Sequence, residues 1–193
     1  ANTNDGENIY KDTETPKHQV IQKSGAIEIR EYGPILVAEV TIAGDRKEAS
    51  SKGFWILATY IFGKNVPKEK VKMTSPVIIK KGQKIEMTAP VRLVPNADGW
   101  TIQFAMPSKF NLDTLPEVVD KRITFHTTQP NRQAVIRFSG FANEEAIKTQ
   151  TNSLVKFLNE QNLTAKSDPI LYFYDSPATL PWRRRNEVAV EIA

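Results

Sequence analysis

The chain has 193 residues, 40% of them hydrophobic and 25% charged, with a formal net charge of +4. That is length enough for one buried core and an ordinary composition for a soluble globular protein. It has no cysteine, which excludes disulfides, zinc–thiolate sites, thiol nucleophiles and covalent cofactor attachment through thioethers. The mild basicity favours anionic ligands such as phosphates or carboxylates. It forms no basic stripe and is joined by no aromatic platform of the RNA-binding kind, so nucleic-acid binding is not expected.

Residues 1–16 are polar and rich in Asn, Thr, Asp and Glu, a flexible N-terminal arm, either a loose tether or one wrapped on the body, ahead of a single domain over 17–193. Nothing here resembles a signal peptide. A chain opening on Ala1 reads as a processed or trimmed one, exported with its signal peptide removed or else cytoplasmic. Ile27–Ile29 and Ile35–Ile42 read as strands. Asp45-Arg46-Lys47-Glu48 is a capping box in which the Asp45 side chain accepts from the Glu48 amide. Ala49, Gly53, Ile56, Tyr60 and Ile61 then recur at helical spacing until Gly63 stops the helix. The longest apolar run, Phe54 to Phe62, is about half a membrane span.

Met73-Thr74-Ser75-Pro76-Val77 returns as Met87-Thr88-Ala89-Pro90-Val91. Each lies in a stretch of alternating polarity, Val71–Ile79 and Ile85–Leu93, with Glu86, Thr88 and Arg92 on the outer face of the second. A hairpin about Gly82 pairs them, and Pro76 and Pro90 mark bulges, edges or barrel corners because neither has a backbone donor. Met73 and Met87 then read as barrel-wall residues, or as ligand contacts and weak axial ligands if the wall lines a cavity. Further strands follow at Trp100–Ala105, Ile123–Thr127, Val135–Phe138, Ile170–Tyr174 and Val188–Ile192. A second helix starts at Asn143 and carries Ile147, Thr151, Leu154 and Leu158 on one face.

A shift of 96 residues sets Ile27 and Ile29 on Ile123 and Phe125, Val40 and Ile42 on Ile136 and Phe138, and Gly44 on Gly140. The order strand, strand, helix, strand, strand holds in both halves. The chain therefore reads as α+β: a pseudo-two-fold distorted antiparallel β-barrel of two βαββ-like repeats, about 20–122 and 123–193, flanked by two helices.

Three motifs occurring in order, Glu28-Ile29-Arg30-Glu31-Tyr32-Gly33-Pro34, the paired Met-Thr-Ser/Ala-Pro-Val, and Tyr174-Asp175-Ser176-Pro177 with Arg184-Arg185-Asn186-Glu187-Val188, resemble the SOUL/haem-binding protein family from about Gln19 to Ile192. The resemblance implies a monomeric, pseudo-symmetric domain, similar also to the effector-binding modules of multidrug-sensing regulators. It implies reversible, non-covalent binding of haem or related tetrapyrroles without catalysis. In some members a His follows the Arg of the first motif as a proposed axial ligand. Glu31 stands there in this chain, and a carboxylate is a poorer partner for haem iron than imidazole. In others the ligand lies against the exposed apolar face of the first helix and the loop before the last motif. Those positions are Ser51, Phe54 and Ala58, and Trp182, Arg183 and Arg184. Phe54, Ala58 and Trp182 would meet the flat apolar face, and Arg183 and Arg184 the propionates.

His18 and His126, the two histidines, are the metal candidates, each otherwise a surface or edge residue. Glu31 would select small cationic aromatic ligands if it entered the cavity. A third reading makes the Tyr174–Pro177 and Thr179–Trp182 loop a protein-docking surface with no tetrapyrrole role. The bland reading of the arginine run is an Arg184–Glu187 ion pair holding the last strand. No nucleophile elbow, HExxH, phosphate loop or clustered metal-ligand pattern is present, so no enzyme is expected.

Overall fold

A computed structural model of the chain describes residues 4–5, 8–68 and 81–193. Strands β1 (Asn4–Asp5), β2 (His18–Ser24), β3 (Ile27–Tyr32) and β4 (Leu36–Ala43) lead into helix α1 (Arg46–Ile61), and β5 (Val91–Pro95) and β6 (Gly99–Ala105) follow. The order then repeats as β7 (Thr124–Thr127), β8 (Asn131–Phe138), α2 (Glu144–Glu160), β9 (Ile170–Phe173) and β10 (Asn186–Ile192).

These ten strands form one sheet in the order β1-β2-β3-β8-β10-β9-β5-β6-β4-β7, antiparallel throughout and curled into a half-barrel. Read outward from the β9–β5 junction, both halves run third, fourth and second strand, then the first strand of the other half. Thus β3 pairs with β8, with Ala134 opposite Ile29, and β7 pairs with β4, with Phe125 opposite Ala38. This exchange of first strands is the structural form of the 96-residue echo, and the pseudo-two-fold α+β fold expected from sequence is present.

Strand alternation gives the sheet two characters. Ala38, Val40, Ile102, Phe104, Ile136 and Val190 enter the main core, where α1 packs on β4 and β6 and α2 on β8 and β10. Their neighbours Val37, Gln103, Gln133 and Tyr172 line a cavity on the other face. Both helix starts were legible. Asp45 Oδ1 accepts from the Glu48 amide at 2.9 Å, and Asn143 Oδ1 accepts from the Ala146 amide at 2.8 Å. Gly53 lets α1 close on the sheet: a Cβ there would lie 2.7 Å from Ile102 Cδ1.

The expected hairpin about Gly82 is only partly represented. Its first arm, with Met73, Ser75, Pro76 and Val77, lies outside the described residues. In its second arm, strand structure begins at Val91, after Pro90, and not at Ile85. Residues 81–88 are instead tied to the end of α1, where the Ile85 amide donates to Ile61 O at 2.8 Å and Asn65 bridges to both polar backbone groups of Gln83. Thr88, expected on the outer face, is buried and donates to Ala105 O. Strand β2, next to the edge strand β1, is not expected from sequence because its exposed, polar residues carry little alternation.

Residues 8–16 lie on the body. Glu14 O accepts from the Ala89 amide at 3.0 Å, its Oε1 accepts from the Ser108 amide at 2.8 Å, and Thr15 is buried. Among the described residues no helix is long and apolar enough to cross a membrane.

Candidate functional site

The motifs converge on one buried charge cluster. Arg30, from β3, donates from Nη1 and Nη2 to Glu187 Oε1 and Oε2 of β10 at 2.9 and 2.6 Å. The guanidinium also donates to Glu28 at 2.9 Å and to the Tyr32 hydroxyl at 3.0 Å. Arg185 donates to Glu187 Oε2 at 3.2 and 3.0 Å, and the Tyr174 hydroxyl donates to Oε1 at 2.7 Å. Glu187 has no exposed surface. Burial alone would push its carboxyl up, but Arg30 and Arg185 and their hydrogen bonds hold it at about 2. Burial and the adjacent Glu187 charge push the Tyr174 hydroxyl well above its ordinary range.

The three consecutive arginines have three fates. Arg185 enters the network, its guanidinium 4.2 Å from the Tyr174 ring centre. Arg184 spans the loop, donating to Thr179 O and Pro177 O at 2.8 Å each, and covers Phe141 at 5.2 Å. Arg183 ends the short 3-10 turn Pro181–Arg183 and is exposed; its amide donates to Leu180 O at 2.9 Å and its carbonyl accepts from Lys11 at 3.0 Å. The expected Arg184–Glu187 pair is therefore corrected: Arg30 and Arg185 hold Glu187. Alternation explains it, since Arg185 and Glu187 are two residues apart on one face of the chain.

Next to the turn is an exposed apolar group, Trp182 at 70% and Phe141 at 62% exposure. It is joined to α1 through the start of α2. Pro181 O accepts from the Gly140 amide at 2.9 Å, while Arg46 of α1 donates to Glu144 at 2.6 and 2.8 Å. On α1, Ser51 is exposed and Phe54 is half-buried against Phe104 at 5.7 Å. Ala58 is fully buried in the core, which corrects its expected place on the exposed face. The apolar side chain missed there is Trp55, 60% exposed and one turn beyond Ser51, packed edge-on to Phe54 at 5.8 Å. Its i+4 spacing from Ser51 was the available signal.

The other candidates are dispersed. Met87 is half-buried against the main core; Met73 lies outside the described residues. Glu31 pairs with Arg132 across β3 and β8, both side chains 44% exposed, so the lone carboxylate needed inside the cavity is not supplied by Glu31. His126 Nδ1 meets Glu39 Oε1 at 2.8 Å. His18 stacks on Tyr32 at 5.1 Å, and burial, with Arg30 nearby, lowers its pKa. Among the described residues no three His, Asp or Glu side chains are grouped to hold a metal ion.

The chain is thus a pseudo-symmetric α+β half-barrel carrying two helices and an exposed aromatic–basic loop. The SOUL heme-binding protein family matches residues 13–191, and the chain belongs to it. It is 28% identical over 170 residues to heme-binding protein 2 of Homo sapiens, covering 85% of this chain and 77% of that protein. Two solved structures share the fold. One is described as a hydrolase from Listeria innocua, with a TM-score of 0.57 at 13% identity, covering 90% of this chain and 94% of that one. The other is the EcmrR C-terminal domain, with a TM-score of 0.58 at 9% identity, covering 86% and 96%. At such identities they speak to fold alone.

Proposed function

We propose that the chain binds haem or a related tetrapyrrole reversibly and without covalent attachment, acting as a monomeric carrier and not as a catalyst. The observation that carries this reading is family membership over nearly the whole chain, joined to an exposed indole beside an exposed guanidinium at the Pro181–Arg183 turn. Trp182 and Phe141, with Phe54 and Trp55 in the middle of α1, supply flat apolar surface for a macrocycle. Arg183 supplies the propionate clamp; Arg184 serves mainly by holding the loop, because two of its nitrogens are already engaged with backbone. Met87 and the histidines make no iron bond in this reading, which predicts modest affinity dominated by apolar contact and charge pairing.

The test is hemin titration of Trp182→Ala and Arg183→Ala, followed at the Soret band. Each variant is expected to weaken binding, Trp182→Ala by about tenfold, or roughly 1.4 kcal/mol, while His126→Ala leaves it unchanged. Unaltered affinity in both loop variants removes the loop from the site.

A further inference from the structure

The N-terminal segment rests on the loop that carries Trp182 and Arg183. Ile9–Tyr10 pairs with Thr13–Glu14, Ile9 opposite Glu14 and Tyr10 opposite Thr13, which leaves Lys11 and Asp12 as a two-residue turn. Both lie in the left-handed region, at φ 45° and 63°. That is the backbone of a type I′ turn, where Asn-Gly is favoured and a lysine is strained. A single two-stranded hairpin is marginal in water at best. This one therefore depends on what it is docked against.

It is docked against Asp175. The carboxylate, 4% exposed, accepts from the Tyr10 hydroxyl at 2.9 and 3.1 Å and from Lys11 Nζ at 2.7 Å. Lys11 Nζ also donates to Arg183 O at 3.0 Å, and the Tyr10 ring packs edge-on to Tyr174 at 5.3 Å. On its other side Asp175 accepts from the Arg185 amide at 2.6 Å, while the Tyr174 amide donates to Arg185 O at 3.2 Å. Asp175 and Arg185 thus form the neck of a loop, and the Pro181–Arg183 turn lies just before that neck. The phenol and the ammonium that hold the neck from outside the loop both come from the hairpin. Trp182 is 70% exposed with the hairpin docked, so the hairpin props the turn and does not cover it.

We propose that the N-terminal hairpin is a strap that sets the Pro181–Arg183 turn, and that Asp175 is the positioning residue through which it acts. Docked, the strap fixes the Arg183 carbonyl and the Asp175 carboxylate that holds the Arg185 amide. Trp182 and Arg183 then project from a fixed backbone. Released, it leaves a buried carboxylate without the Lys11 ammonium, and the turn loosens. Side chains already in place need not be ordered when a ligand arrives, so the docked strap favours binding. That consequence rests on the tetrapyrrole reading; the effect on the loop does not.

The experiment follows backbone amide exchange in the ligand-free full chain by NMR, then hemin affinity at the Soret band. Wild type, Lys11→Met, Lys11→Arg and Asp175→Asn are compared. In Lys11→Met and Asp175→Asn the Arg183, Arg184 and Arg185 amides are expected to exchange about tenfold faster, with the Val188 and Leu154 amides unchanged, because only a local element opens. Lys11→Arg keeps the charge and is expected to restore slow exchange. Hemin affinity should fall about tenfold in Lys11→Met, the cost of ordering one or two side chains, and return in Lys11→Arg. Unchanged loop exchange, no rescue by Lys11→Arg, or a rise spread over β10 and α2 overturns the strap, and Lys11→Met decides this if Asp175→Asn fails to fold. A loosened loop with unchanged or tighter hemin binding overturns its coupling to the ligand. A wild type that binds no hemin removes the tetrapyrrole reading alone, and the exchange rates still decide the strap.

Discussion

Replacing Glu187 with Gln keeps the shape of the side chain and removes its charge. Arg30, whose side chain is 2% exposed, then keeps Glu28 as its one carboxylate partner among the described residues, and Arg185 loses its ion pair with Glu187. Breaking a buried pair from one side costs about 3–5 kcal/mol. The proton equilibrium gives a similar size. The carboxyl is carried from an ordinary 4.5 down to about 2, and at about 1.4 kcal/mol per pH unit this is about 3 kcal/mol of stability. Because the folded value is the lower one, this contribution is whole above about pH 4.5 and is lost as pH falls from there towards 2. For a chain of this length the expected loss at pH 7 is about 6–20 °C in Tm, and the gap between variant and wild type should narrow below pH 4. Urea unfolding at pH 7 and pH 3 measures both. A variant within about 1 kcal/mol of wild type at pH 7, or a gap that does not change with pH, would refute the network as the structural centre of the fold. The double variant Arg30→Met with Glu187→Leu should recover part of the loss, since the buried Arg30 charge is removed together with its partner.

Gly53→Ala should cost about 1–2 kcal/mol net in denaturant unfolding, because the new methyl meets buried Ile102 at 2.7 Å and overpacking outweighs the gain in helix propensity. Asn65→Ala removes three hydrogen bonds at 2.8, 2.8 and 2.9 Å to Tyr60 and Gln83 and should cost about 3 kcal/mol, with faster proteolysis around residue 83. His18→Gln should flatten the stability curve just below pH 6.5. Burial, then Arg30, lowers the folded pKa of His18, so the wild type has this contribution above pH 6.5 and loses it as the pH falls towards the lowered value.

What could be read in advance was local. Asp45 and Asn143 cap their helices through contacts three residues away, and the buried face of α1 follows from spacing alone. The Arg30–Glu187 pair joins residues 157 apart, and nothing in either motif names its partner until β3 and β10 both lie beside β8. For the same reason the arginine run was misassigned: the choice between Arg184 and Arg185 depends on where the 3-10 turn ends and the strand phase begins. Ala58 comes from the resemblance by position, although the core spacing of α1 already puts Ile61, one turn on, inside. The residues by which the family is recognised thus turn out to hold the sheet together. The exposed residues lie outside the buried motif pairs: Trp182 follows from the resemblance, whereas Trp55 and Phe141 are visible only as apolar side chains left in solvent.

The most direct test of tetrapyrrole binding without an iron bond is a paired titration. Hemin is followed in the Soret region and metal-free protoporphyrin by fluorescence quenching, on the same preparation. The account predicts saturable binding of both at comparable affinity. Hemin binding far tighter than the metal-free ring with a six-coordinate spectrum, or neither ligand binding above a control protein, would contradict it.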